Sequence, residues 1–287
     1  MTARGSAWDG RPFDPPTAPL PRVDYVGDDG PGYGAPVGRP PRRRGRRWLR
    51  RAVATIVVLV VILALALGAL LAITPSVSNA QALAQAQDAD HHAVYPGPPV
   101  PARFSDSLVA TEDHRFYSEP GIDILALARV VEAGVTGQGD QGGATLYQQL
   151  AKLLYTNGTS GIRAKVEQVG LAEKLYLTYS HAQILQMYAD VAYFGHGYYG
   201  LAAASCGYFG TTPAGLSWPE AATLAGLVQG PSTDDPILHY AQGRAREHHV
   251  LGRLVATNVL TQAQASAAFS RPLDLVGGSP TACTANP

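Results

Sequence analysis

The chain has 287 residues, 46% hydrophobic and 15% charged, with 22 basic and 22 acidic side chains and a formal net charge of zero. That length holds one large or two small domains, and the apolar content allows a sizeable core. The neutral total hides an asymmetry: residues 1–51 carry eleven Arg against five Asp, a net of +6, so the remainder carries −6. A nucleic-acid binder keeps its positive charge on a folded face, and here it sits in a Pro/Gly-rich tail, which excludes that class.

Residues 1–41 hold most of this Pro and Gly with almost no aliphatic periodicity, and are read as disordered because they bury too little apolar surface to offset chain entropy. An Arg-rich run with seven Arg follows at 42–51, then 22 residues without a charge, 52–73. At ~1.5 Å per residue this run spans the ~30 Å hydrocarbon core, so a transmembrane helix is predicted. The Arg cluster places its N-terminal side in the cytoplasm, and Trp48 is the interfacial aromatic. Two other readings are weaker. A nucleic-acid or nuclear-localisation patch leaves the apolar run unexplained. A cleaved signal peptide, suggested by Ser78-Asn-Ala80, has too long an apolar run and too long a preceding tail.

Pro75 ends the helix, and an Ala/Gln-rich segment to about Gln87 reads as a short juxtamembrane helix or linker. His91 and His92 are adjacent, point to opposite sides and lack partners at ligand spacing, so they read as linker rather than metal ligands. Beyond Pro101 the chain turns globular, outside the cytoplasm. Its two cysteines, Cys206 and Cys283, therefore lie in an oxidising space, where they either pair or stay free.

In a chain so poor in charge, the stretch from Ala110 to Gly121 is informative: Glu112 and Asp113 stand side by side before Phe116-Tyr117 and a Pro-Gly stop. A carboxylate near an apolar cluster suits a general base, because burial lifts its pKa toward working pH. The alternative is a solvated helix start capped by Thr111 or Asp113.

Every later periodic segment runs at helical spacing, so the fold class is mainly α. Ile124, Leu127, Ala128 and Val131 follow the helical pattern, and a glycine-rich loop over 134–143 breaks it. The next helix, 145–155, puts Leu146 and Leu150 on one face and Gln148, Gln149 and Lys152 on another, a set of donors suited to a phosphate or sugar, or simply an exposed polar face. Over 162–178, Val166, Val169, Ala172 and Tyr176 form an apolar arc, while Arg163, Glu167, Gly170 and Lys174 share a second arc of roughly 60°. That second arc reads either as a place where a ligand nears the backbone at Gly170, or as a surface Arg163–Glu167 pair. Helices around 184–193 and 218–227, and a last one over 241–259, complete the domain.

These residues resemble the peptidoglycan glycosyltransferases of glycosyltransferase family 51. Five segments are similar in order: Glu112-Asp-His-Arg-Phe116 through Gly121; Gly142-Gly-Ala-Thr-Leu-Tyr-Gln-Gln-Leu-Ala-Lys152; the helix from Arg163 to Leu175; Ile184 to Tyr188 with Tyr193-Phe-Gly195; and Tyr208-Phe-Gly210 with Glu220 to Gly226. The resemblance implies a lysozyme-like, two-lobed domain at 101–265, behind a tail (1–51), a membrane helix (52–73) and a linker (74–100), with a C-terminal tail at 266–287. It implies polymerisation of lipid II into glycan, with Glu112 as general base, Glu167 as second catalytic carboxylate, and Asp113, Phe116, Thr145, Gln148, Gln149, Lys152, Arg163 and Lys165 binding substrate. The partners implied are lipid II, the growing glycan chain, the membrane and cell-wall synthesis or division proteins. A divalent cation, Mg or Mn, fits the implied diphosphate leaving group, although no ligand cluster in the chain marks one.

The chain departs from that pattern at Glu119 (His in the family), at Ala144, Tyr147 and Leu153 (Ser, Thr and Asn), and at Asp190 (Asn). An ungapped count puts the family's second glutamate on Gln168 and its preceding arginine on Ala164. Glu167 and Arg163 keep the family's four-residue spacing one position early, and a π-bulge at Gly170 is the expected way of absorbing the slip. These substitutions leave a second hypothesis, a catalytically impaired relative that binds lipid II or serves division as a scaffold. A third is a lysozyme-like lytic enzyme. No Ser-x-x-Lys or Lys-Thr-Gly follows Pro236, so no transpeptidase is expected with it.

Overall fold

The computed structural model describes residues 44–118, 121, 144–159 and 161–276. The expected disordered tail, the helix around Ile124 to Val131, the glycine-rich loop 134–143, Glu119 and Cys283 lie outside the described residues. The chain divides into two compact units, 1–55 and 56–287. Within the first, the described residues are the opening turns of helix α1 (Arg44–Ile73), where Trp48 is exposed. The stretch Trp48–Ile73 is long and apolar enough to cross a membrane.

The second unit continues with α2 (Ala80–Asp90), α3 (Ala102–Glu112), α4 (Leu146–Tyr155), α5 (Ile162–Thr178), α6 (His181–Val191), α7 (Leu201–Phe209), α8 (Trp218–Leu227), α9 (Tyr240–Ala256) and α10 (Gln262–Phe269). The described residues form no strand, only an isolated bridge between Tyr193 and Tyr199, so the architecture is mainly α. Helix α8 is apolar on all sides and buried from Ala221 to Leu227, as a central helix must be. Helices α3 and α9 flank it. Helices α4 and α5 fold back on each other through Leu150, Leu154, Leu171 and Leu175, all buried.

Local chemistry sets several helix starts. Thr145 caps α4 in a reciprocal capping box with Gln148, and Ser180 does the same with Gln183, which begins α6 three residues before the expected Ile184. Thr261 and Gln264 cap α10, a helix where a C-terminal tail from 266 was expected.

Of the two readings of the Ala/Gln-rich segment, short helix or linker, the structure has the helix, and its face packs into the core: Ala80, Ala84 and Asp88 recur every four residues, and all three are buried in α2. His91 does not dangle in solvent either, since its ring stacks on Tyr199 at 3.5 Å. Cys206 in α7 is buried and disulfide-bonded.

Two expectations for α5 are corrected. The helix runs from Ile162 to Thr178 without a π-turn, so no bulge absorbs the slip. Gly170 is small for another reason: a Cβ there would lie 2.8 Å from Thr74 and 3.0 Å from Leu70, and the glycine lets the end of α1 come close. Lys174 on the same arc donates to the carbonyls of Thr74 (2.6 Å) and Pro75 (3.0 Å), neutralising the C-terminal end of α1. The arc read as a ligand face thus receives the end of the apolar helix.

Candidate active site

Glu112 is the last residue of α3, not the start of a helix, and the expected cap roles of Thr111 and Asp113 do not hold there. A carboxylate at a helix C-terminus faces the negative end of the dipole and needs compensation. Helix α9 supplies it. Arg246 Nη2 donates to Glu112 Oε1 at 3.2 Å, while Arg253, two turns on, donates to the Ala110 carbonyl at 3.0 Å and satisfies an orphan acceptor of α3. Arg246 reaches the site by crossing Gly226: its Nε donates to the Gly226 carbonyl at 3.0 Å, and a Cβ on Gly226 would lie 2.6 Å from the Arg246 stem.

The other carboxylate oxygen accepts from Gln149 Nε2 of α4 at 3.1 Å, and Gln149 Oε1 accepts from the Tyr188 hydroxyl of α6 at 2.8 Å. Glu112 keeps 12% of its side-chain surface open, so it is shielded but not sealed. Burial pushes its pKa above the usual carboxylate value, and the Gln149 hydrogen bond and the Arg246 charge pull back down. The result is a carboxylate that, among the described residues, meets a donor on each oxygen, with an opening to solvent. Such a group can accept a proton from a hydroxyl brought to that opening.

The transglycosylase family model matches residues 79–255, more than half of the chain. The chain belongs to the transglycosylase family. Among curated relatives it is 35% identical over 177 residues to penicillin-binding protein 1F of Bacillus subtilis, covering 61% of this chain and 25% of that protein. It is 36% identical over 166 residues to penicillin-binding protein 1A of Mycobacterium tuberculosis, covering 56% and 20%. The chain therefore spans about a fifth to a quarter of the length of these relatives. Among solved structures, the crystal structure of penicillin-binding protein 1A from Haemophilus influenzae aligns over 61% of this chain and 17% of its own, with a TM-score of 0.36 and 21% identity.

Within this transglycosylase domain the expected site residues separate. Glu112 and Gln149 meet directly, and Lys152 lies exposed one turn beyond Gln149 on α4. Asp113 turns the other way: it is buried, and its Oδ2 accepts from the Leu146 backbone N–H at 3.0 Å, tying the start of α4 to the end of α3. Thr145 and Gln148 are spent on the α4 cap, and Thr145 also donates to the Gly121 carbonyl at 3.2 Å. Phe116 is fully buried, edge-on to Tyr117 and His181 and tilted against Tyr147, so it shapes the core and offers no surface to a substrate. Arg163 and Lys165 are exposed in the first turns of α5. Glu167 is half-buried. Its neighbour Gln168 is buried and donates to Thr156 Oγ1 (2.9 Å) and the Thr159 carbonyl (3.3 Å), so it fastens the turn between α4 and α5.

Sequence reasoning missed Arg246 and Arg253. The available signal was their seven-residue spacing on a helix whose Val250 and Leu254 are buried, in a chain with half its basic residues in the N-terminal tail. The substitution at Tyr147 removes nothing from the Glu112 cluster, because Tyr147 lies in the aromatic core with Phe116 and Tyr176.

Among the described residues no group of three His, Cys, Asp or Glu side chains could hold a metal ion. The groups that contact Glu112 are an amide and a guanidinium, which repel or ignore a cation. The described residues around Glu112 do not fit a divalent ion.

Proposed function

We propose that this chain is a membrane-anchored peptidoglycan glycosyltransferase that polymerises lipid II. Glu112 takes the proton from the 4-hydroxyl of the acceptor sugar as that oxygen attacks the anomeric carbon of the donor. The configuration inverts and the polyprenyl diphosphate leaves with the bonding electron pair. The observation that carries this reading is the donor on each oxygen of Glu112 among the described residues, open to solvent beside the polar edge of α4, in a chain of the transglycosylase family. The leaving diphosphate needs cations, and Lys152 and Arg163 are exposed and make no ion pair among the described residues. Glu167 is assigned the second carboxylate role, supported by its partial exposure one turn from Arg163. If so, Glu167→Gln lowers the polymerisation rate without changing the melting temperature; an unchanged rate removes the assignment.

The anchor is α1, with the Arg-rich N-terminal side in the cytoplasm and the catalytic domain outside. Support comes from Lys174 binding the C-terminal carbonyls of the apolar helix and from Ile162, Val166 and Leu177 standing exposed on α5, the helix that receives that end. Cell-wall synthesis or division proteins are the natural partners of such an enzyme.

A second reading, a relative that binds lipid II without polymerising it, draws on one observation: the position where the family resemblance puts a glutamate holds the buried Gln168. Purified full-length protein with lipid II separates the two. Glycan on a gel supports the transferase, lipid II bound without glycan supports the second reading, and release of soluble muropeptides from cell wall would mean a lytic enzyme instead.

A further inference from the structure

The three side chains around Glu112 have a determinate polarity. An ionised carboxylate only accepts, so Gln149 must turn Nε2 toward it and Oε1 away. Oε1 then meets the Tyr188 hydroxyl, which donates at 2.8 Å, and Arg246 on the other side can only donate. We propose that Tyr188 is a positioning residue: its hydroxyl fixes the direction of the Tyr188–Gln149–Glu112 relay and so holds Glu112 in the proton-accepting form.

The reverse polarity exposes what the hydroxyl does. A protonated Glu112 needs an acceptor for its new O–H. At Oε1 it finds a guanidinium, which has none. At Oε2 it finds one only if the Gln149 amide rotates by half a turn, and Nε2 then points at Tyr188. Tyr188 would have to accept and send its own proton elsewhere, yet it is 2% exposed, and Gln149 is its hydrogen-bond partner among the described residues. Burial keeps the phenol protonated, so it remains a donor. The acid form therefore finds no ready acceptor among these side chains and can give its proton only to water at the 12% opening, whereas the ionised form uses every donor around it, so the relay favours the ionised form. Among the described residues, the charged and titratable groups facing the site are Arg246 from α9 and Tyr188 from α6, with Lys152 exposed one turn beyond Gln149 on α4; Asp113 is turned to the Leu146 N–H.

This deepens the proposed function by naming what sets the base's protonation, and its test stands apart from that function. Carboxyl-13C glutamate labelling of the full-length protein in detergent gives seven signals, with Glu112 assigned by its loss in Glu112→Gln. In Tyr188→Phe the Glu112 titration should move upward by roughly half a pH unit to one unit. A wild-type titration in the folded variant overturns the proposal. Should Tyr188→Phe fail to fold, 3-fluorotyrosine at position 188 decides, because it keeps the ring and strengthens the donor: Glu112 should move downward, and an unmoved titration overturns the proposal. In the polymerisation assay, the acid limb of the rate profile should shift upward in Tyr188→Phe; a merely structural role would lower the plateau without moving the limb. If wild type makes no glycan, the transferase reading falls while the titration still judges the relay.

Discussion

Glu112 and the pair Asp88–Asp190 are both shielded carboxylate sites pushed toward the neutral form, yet opposite chemistry surrounds them. Glu112 has a donor on each oxygen and an opening to water. At the α2–α6 contact the Asp190 charge raises Asp88, and each of the two carboxylates leaves one buried oxygen without a hydrogen-bond partner among the described residues. Desolvation and the nearby Asp190 charge push Asp88 up to about 7, and desolvation pushes Asp190 to about 6 against hydrogen bonds from Gln186 and the Gly97 backbone. The lesson is that burial alone does not make a base. What separates a working carboxylate from a stability liability is the sign of its neighbours and its access to solvent.

A third carboxylate tests the rule most severely. Glu247 is fully buried on α9 and is held by Arg244 at 2.6 Å, with burial lifting it to about 7 despite that pairing. Arg244 also donates to the Arg271 and Phe269 carbonyls and lies over the Phe269 ring. Arg244→Met strands a buried acid and should cost about 3–5 kcal/mol in thermal unfolding, much of it recovered by adding Glu247→Gln.

The next effect is on rate. Arg246→Met removes the cation that contacts Glu112 among the described residues, so the carboxylate titrates higher and a smaller fraction is ionised at neutral pH. Polymerisation at pH 7 should fall about 10- to 100-fold, with the acid limb of the rate profile displaced to higher pH. A uniform loss at every pH would separate Arg246 from the base.

For the acidic pair the sign reverses. Both groups bind protons more tightly when folded than unfolded, so their contribution to stability falls as pH rises from about 4 through about 7. Asp190→Asn keeps the acceptor for Gly97 and Gln186 and removes one charge. It should stabilise the protein by about 1–2 kcal/mol at pH 7.5 and flatten the dependence of melting temperature on pH over that window. A variant no more stable than wild type at pH 7.5 would mean that the pair is not charged there. The smallest expected effect is Thr145→Ala, which loses the α4 cap for about 1 kcal/mol and leaves the acid limb in place.

Much of this was legible in the chain. The α4 start follows from Thr145 and Gln148, α5 from its periodicity, and Glu112 from the scarcity of charge around it. What was not legible depends on contacts far apart in sequence. Arg246 lies 134 residues from Glu112, and nothing near either one announces the other. Gly170 looked like room for a bulge or a ligand because its real neighbours, Leu70 and Thr74, lie at and just past the end of a helix that composition reads only as a membrane span. Phe116 sits four residues after Glu112, but the turn between them sends it into the core. The Ala/Gln-rich segment after Pro75 was legible as a short helix or linker, but its packing was not: the small residues of α2 carry a buried stripe too weakly apolar to stand out.

The central claim is that Glu112 performs proton abstraction and nothing else about the fold or substrate binding. It is tested most directly by giving lipid II to wild type and Glu112→Gln side by side, measuring bound lipid II and glycan formed. The account predicts equal binding, an unchanged melting temperature and a rate lower by about 100- to 10,000-fold in the variant. Glycan made by Glu112→Gln at the wild-type rate would contradict it.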